Sequence, residues 1–86
     1  MVVKVEVFTS DSCPHCPAAV NVANNAKEII GADVDVIICN IGLEGNRQKA
    51  IDYGIMAVPT IVINDEVAFV GAPSLDELVN KVKSLI

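Results

Sequence analysis

The sequence predicts an α/β fold, a mixed four-stranded sheet carrying three helices in the order β-α-β-α-β-β-α. Three observations lead there. Two apolar, Val-rich runs flank a long helical segment near the start, which is the pattern of a β-α-β unit. Two later β-rich runs are separated only by Asn64-Asp65-Glu66, which has the length and chemistry of a hairpin turn. The chain closes on an amphipathic segment opened by Ser74 and Glu77, a helix-capping pair. At 86 residues, the expectation is one domain over residues 1–86.

The elements follow in order. Val2 to Phe8 is rich in Val and alternates only weakly, so it reads as a mostly buried strand. Thr9 to Ser12 are turn residues. From Pro14 to about Ile30, the residues Ala19, Val22, Ala23, Ala26 and Ile30 recur at helical spacing, with Asn21, Asn24, Asn25 and Lys27 free to face water. Gly31 supplies a stop. Val34 to Cys39 is a second strand, and its helical crossover from the first makes the two parallel. A short helical segment lies between Gly45 and Tyr53, with Asn46 as its cap and Gly54 as its stop. Thr60 to Ile63 and Val67 to Val70 form the antiparallel hairpin. Ser74 to Leu85 is the last helix, with Leu75, Leu78, Val79, Val82 and Leu85 as its apolar stripe.

Composition narrows the function. The net charge is −5 and the six basic residues are scattered, which argues against a nucleic-acid surface. No apolar run approaches the ~20 residues of a membrane span. Met1 to Phe8 is interrupted by Lys4 and Glu6 and is no signal-peptide core. A cytoplasmic protein without membrane partners is therefore expected. Its three cysteines do not suggest a disulfide framework, whereas the close pair Cys13 and Cys16 suggests catalysis or metal binding.

The pair opens the first helix. With Cys13 at the N-cap, Pro14 falls at N1, where its fixed φ suits a helix start. The Cys13 side chain then points at the N–H groups of His15 and Cys16, orphan donors that favour a negative charge. A thiolate there is stabilised, and its pKa drops below the free value of ~8.5. Cys16 sits about one turn further in and can attack a mixed disulfide at Cys13. The implied chemistry is thiol–disulfide exchange in which Cys13 attacks and Cys16 resolves. A protonated His15 would stabilise the thiolate further and make the disulfide more oxidising, so Pro14 and His15 are the redox-tuning residues. Pro17 is awkward at N4, where it cannot bond the Cys13 carbonyl. Either the first turn is loosened or the helix begins later.

Two cysteines at this spacing are also zinc-ligand chemistry. A structural zinc needs four ligands, and the only other candidates are Cys39, at the end of a strand, and His15 between the pair, so no metal is expected. The alternative function is a small chaperone that carries a soft ion such as Cu(I) on the two thiolates.

The cysteine pair after the first strand, the later "YGIMAVPTIVI" and the "VGAPSLDEL" that follows together resemble the thioredoxin superfamily over essentially the whole chain. The likeness is greatest to short archaeal thioredoxin- or glutaredoxin-like proteins. The resemblance implies a shortened thioredoxin fold with strand order 2-1-3-4. It makes Pro59 a cis proline facing the cysteine pair and Val58 the residue whose backbone meets an extended substrate. Thr60 and Gly71 complete that groove. It implies no cofactor beyond the Cys13–Cys16 couple, protein disulfides as substrates and a thioredoxin-reductase-like electron donor; a monomer is expected. Two departures stand out. Ser12 replaces the tryptophan usual before the pair, and Val7 occupies the position of the family's buried acid.

Overall fold

The computed structural model describes residues 2–86. Its strands are β1 (Val3–Thr9), β2 (Val34–Asn40), β3 (Thr60–Ile63) and β4 (Glu66–Val70). Its α-helices are α1 (Cys16–Ile30), α2 (Glu44–Asp52) and α3 (Leu75–Lys83). The four strands form one sheet in the order β2-β1-β3-β4. β1 runs parallel to β2 and antiparallel to β3, and β3 and β4 form the antiparallel hairpin. The predicted fold and strand order are those observed.

Strand alternation sorts β1 onto two faces. Val3, Val5 and Val7 join Ile61, Ile63 and Val34 beneath α1 and α3. Helix α1 meets this layer through Ala19, Ala23 and Ala26, whose small side chains let it approach the sheet closely, and α3 adds Leu78, Val79 and Val82. Each fully buried aliphatic side chain of this layer contributes about 1.5–3 kcal/mol. The opposite face carries a smaller cluster of Phe8, Cys39, Val62 and Ala50, covered by α2 and the segment after it. Phe8 and Tyr53 meet there edge to face, with ring centroids 5.9 Å apart.

Local signals place most element ends. Ser74 caps α3 in a complete capping box, its hydroxyl accepting from Glu77 N while Glu77 Oε1 accepts from Ser74 N. Gly31 ends α1 with φ +85°, and a short 3₁₀ turn over Gly31–Asp33 that the sequence did not suggest leads into β2. The hairpin turn is tighter than expected. Only Asn64 and Asp65 are outside the strands, both at positive φ (49° and 69°), which is the geometry that matches strand twist. Asn64 also accepts from Lys4 N through Oδ1.

Two helix starts differ from expectation. α1 begins at Cys16 with His15 as N-cap, so Cys13 is not the cap and Pro14 is not at N1. Pro17 decides this. In a helix starting after Cys13 its absent N–H would break the ladder, whereas in the first turn from Cys16 that N–H has no partner to lose. α2 begins at Glu44 with Leu43 as N-cap, so Asn46 is not the cap. The Asn46 amide instead donates to the Asn40 carbonyl at 3.2 Å, and Glu44 supplies the acidic first-turn residue that the helix dipole favours.

Candidate active site

β1 ends at Thr9, and the chain turns through residues 10–15 before entering α1. Cys13 N donates to the Ser10 carbonyl at 3.3 Å, which closes the turn that presents the first cysteine. Cys13 and Cys16 are joined as a disulfide, with Cα atoms 5.4 Å apart. The two sulfurs are not equivalent. Cys16, the first helical residue, is only 3% exposed, while Cys13 is partly open to solvent. The positive end of α1 points at this loop. Pro14 and His15, to which the sequence assigns a tuning role, are exposed on it.

The strand partners carry the remaining predicted residues to the same end of the sheet. Phe8, one residue before the end of β1, pairs with Thr60, the first residue of β3. The Val58–Pro59 peptide is cis, as the resemblance implied. Gly71 N donates to the Pro59 carbonyl at 2.8 Å and so ties the start of the hairpin to its end. Gly71 has φ +93° with open space where a Cβ would stand, so conformation rather than crowding requires glycine. Thr60 is 1% exposed and its Oγ1 donates to the Ala57 carbonyl at 2.6 Å. It therefore braces the loop from beneath and has no free surface for a ligand. Val58 is partly exposed, and Met56 and Val70 beside this rim are 98% and 73% exposed.

Among the described residues, the buried layer under α1 contains no acid. Val7 is fully buried among apolar residues there. The buried carboxylate of β1 is its neighbour Glu6, on the opposite face. Glu6 is fully buried and accepts from Lys49 Nζ, and Lys4 Nζ stands 3.7 Å away. Tyr53 Oη lies 3.0 Å from both Glu6 Oε1 and Asp65 Oδ1. The network ties α2 and the hairpin turn to the central strand, just ahead of the loop that leads to Pro59. Sequence reading treated Lys4 and Glu6 only as interruptions of a strand. The signal that could have found the network was their i, i+2 spacing, which puts two charges on one face.

The network's charges shift in consistent directions. The hydrogen bond to Glu6 raises Lys49 above the usual lysine value. Burial, then the bonds to Glu6 and Asp65, raise the Tyr53 phenol. The Lys4 ammonium lowers the Asp65 carboxyl. For Lys49 and Tyr53 the folded state holds its proton more tightly than the unfolded chain. Their stabilisation is complete below the unfolded values, near 10 for tyrosine and 10.5 for lysine, and is lost as pH rises beyond them. Denaturant unfolding midpoints should therefore fall above about pH 10, and Tyr53→Phe should flatten that fall. An equally steep fall in the variant would remove Tyr53 from the account.

Cys39 is 1% exposed and its thiol is raised, chiefly by burial. It is a space-filling residue away from the exchange loop. Among the described residues, no group of three or more His, Cys, Asp and Glu side chains is arranged to hold a metal ion, and no helix is long and apolar enough to cross a membrane.

A helix-mouth disulfide and a cis-proline loop at the same end of one sheet define a class, the proteins that exchange disulfides through their own cysteine pair. Comparison narrows the class to a family. A family profile described as the thioredoxin domain matches residues 3–83. A thioredoxin of Methanocaldococcus jannaschii is 52% identical over 81 residues, covering 94% of this chain and 93% of that protein. A probable thioredoxin of Methanothermobacter marburgensis is 55% identical over 78 residues, covering 91% and 89%. Among solved structures, a mutant thioredoxin from Halobacterium salinarum superposes with a TM-score of 0.79 at 27% identity, over 95% of this chain and 73% of that one. The chain belongs to the thioredoxin family and is a thiol–disulfide oxidoreductase.

Proposed function

We propose that the protein reduces disulfides in other proteins, with Cys13 as nucleophile and Cys16 as resolving thiol. The observation that carries the assignment is the unequal burial of the two cysteines, 3% exposure for Cys16 against a partly open Cys13. In the first step the Cys13 thiolate attacks one substrate sulfur, forming a mixed disulfide and releasing the other as a thiolate. Cys16 then loses its proton and attacks Cys13. The Cys13–Cys16 disulfide forms, the second substrate sulfur leaves, and two electrons have passed to the substrate.

The groove for this substrate is the rim of Val58, Pro59 and Gly71, with Thr60 beneath it. Exposed Met56 and Val70 beside the rim suit an extended, partly apolar protein segment. Pro14 and His15 tune the couple from the loop. No cofactor is required beyond the cysteine pair, and a thioredoxin-reductase-like donor restores the dithiol. The protein works as a cytoplasmic monomer. Family membership favours this exchange over the soft-metal reading of the same two thiols.

Trapping tests the roles. Cys16→Ser should hold partner proteins at Cys13 as mixed disulfides that accumulate in cell extract and are released by dithiothreitol. If adducts form at Cys16 in Cys13→Ser instead, the roles are reversed.

A further inference from the structure

The resolving step poses a problem of proton balance. Cys16 is almost wholly buried and the sheet face beneath it is apolar, with Val7 fully buried there. A thiol in such surroundings resists ionisation, yet Cys16 must lose its proton to attack. Some group within reach has to accept it.

The structure offers one. A cavity of about 340 Å³ opens onto both cysteines, and Thr9, Asp11, Val20 and Asn40 are among its other lining residues. Among the described residues, Asp11 is the only titratable group besides the two cysteines that lines it. His15 lies on the same loop but not on the cavity, and the lining residues from α1 and β2 carry no charge. Asp11 is also held in place. Asn40 Nδ2 donates to Asp11 Oδ1 at 2.8 Å, while Asn40 Oδ1 accepts from Gly42 N at 2.8 Å. The Asn40 carbonyl takes the Asn46 amide, and the adjacent Ile41 N donates to Thr9 O at 2.8 Å. Asn40 is thus a clamp between the start of α2 and the cysteine loop.

We propose that Asp11 is the proton acceptor for Cys16 in the resolving step and that Asn40 is its positioning residue. The proposal rests on the assignment of Cys16 as the resolving thiol. The cavity has Asp11, Asn40, Asn21 and Thr9 on its wall and room for a bridging water, so the proton passes from Cys16 Sγ through water to the Asp11 carboxylate. The Cys16 sulfur bonds to Cys13 Sγ as the bond from Cys13 to the substrate sulfur breaks. The substrate leaves as a thiolate, Asp11 is left as the neutral acid, and it returns its proton to solvent.

A two-phase assay separates the steps. Reduced protein, with Cys39→Ala to silence the third thiol, is mixed in a stopped-flow instrument with a chromogenic aryl disulfide. Attack by Cys13 releases the first coloured thiolate and attack by Cys16 releases the second. With Asp11→Asn the first phase should be no slower, while the second slows roughly tenfold or more near neutral pH. The second-phase pH profile should move to higher pH, because the variant must wait for free Cys16 thiolate. Asn40→Ala should slow the second phase by a smaller factor. Added formate should restore the second phase in Asp11→Ala, which a purely structural role would not allow. An unchanged second phase in Asp11→Asn, or one slowed but insensitive to both pH and formate, overturns the proposal. If Cys16→Ser still gives the second phase, the role of Cys16 fails first and the proposal falls with it.

Discussion

Cys13→Ser is expected to reduce turnover of a protein disulfide to the uncatalysed background, while Cys39→Ala keeps essentially full activity. The contrast follows from what each sulfur can do. Exchange needs a sulfur that is a good nucleophile as its anion and that can be one half of a disulfide. A serine hydroxyl at position 13 is hardly ionised and forms no S–S bond, so neither the first step nor the stored couple survives. Cys39 has the right atom in the wrong place. It is 1% exposed and burial raises its thiol, so no substrate reaches it and little thiolate exists. Steady-state reduction of a model protein disulfide by the three proteins, with free dithiol as electron source, decides the matter. Substantial residual turnover in Cys13→Ser would move the nucleophile elsewhere, and a large loss in Cys39→Ala would give the buried thiol a part in the reaction.

Lys49→Met is expected to cost about 2 kcal/mol of folding stability at neutral pH, near 10 °C in melting temperature for a domain of this size. Removing one partner of a fully buried pair typically costs ~3–5 kcal/mol, because the remaining charge is stranded. The figure here is smaller for two reasons. The Lys49 side chain is still 45% exposed, and Glu6 keeps the Tyr53 hydroxyl at 3.0 Å and the Lys4 ammonium at 3.7 Å. Glu6→Leu combined with Lys49→Met should recover most of the loss, since an apolar pair avoids desolvating any charge. The Tyr53 hydroxyl would still have Asp65. Denaturant unfolding of the single and double variants measures the effect. A neutral Lys49→Met would show that solvent replaces the ammonium at no cost.

Much of this protein was legible before any coordinates. The capping box at Ser74 and Glu77, the stop at Gly31 and the hairpin at Asn64 are local chemistry, carried by residues whose preferences act within a few positions. The cysteine pair and the cis Pro59 were legible for a different reason, as motifs whose combination resembles one family. The misplaced start of α1 was a conflict inside the sequence. Cys13 and Pro14 suit a helix start, Pro17 forbids that one, and only the folded loop shows Pro17 prevailing.

The sequence by itself determined the order of elements, the parallel pairing of β1 with β2, the hairpin and the close cysteine pair, because periodicity, turn residues and cysteine spacing are short-range properties, while the full strand order came from the resemblance. Tertiary structure alone decided which acid shares the cysteines' cavity and how Glu6 is satisfied. Each of those depends on residues far apart in the chain. Glu6 meets Lys49 and Tyr53 from α2 and its end, and Asp11 meets Asn40 from the end of β2. Such pairings cannot be read from spacing, because they exist only once the sheet has brought its strand ends together.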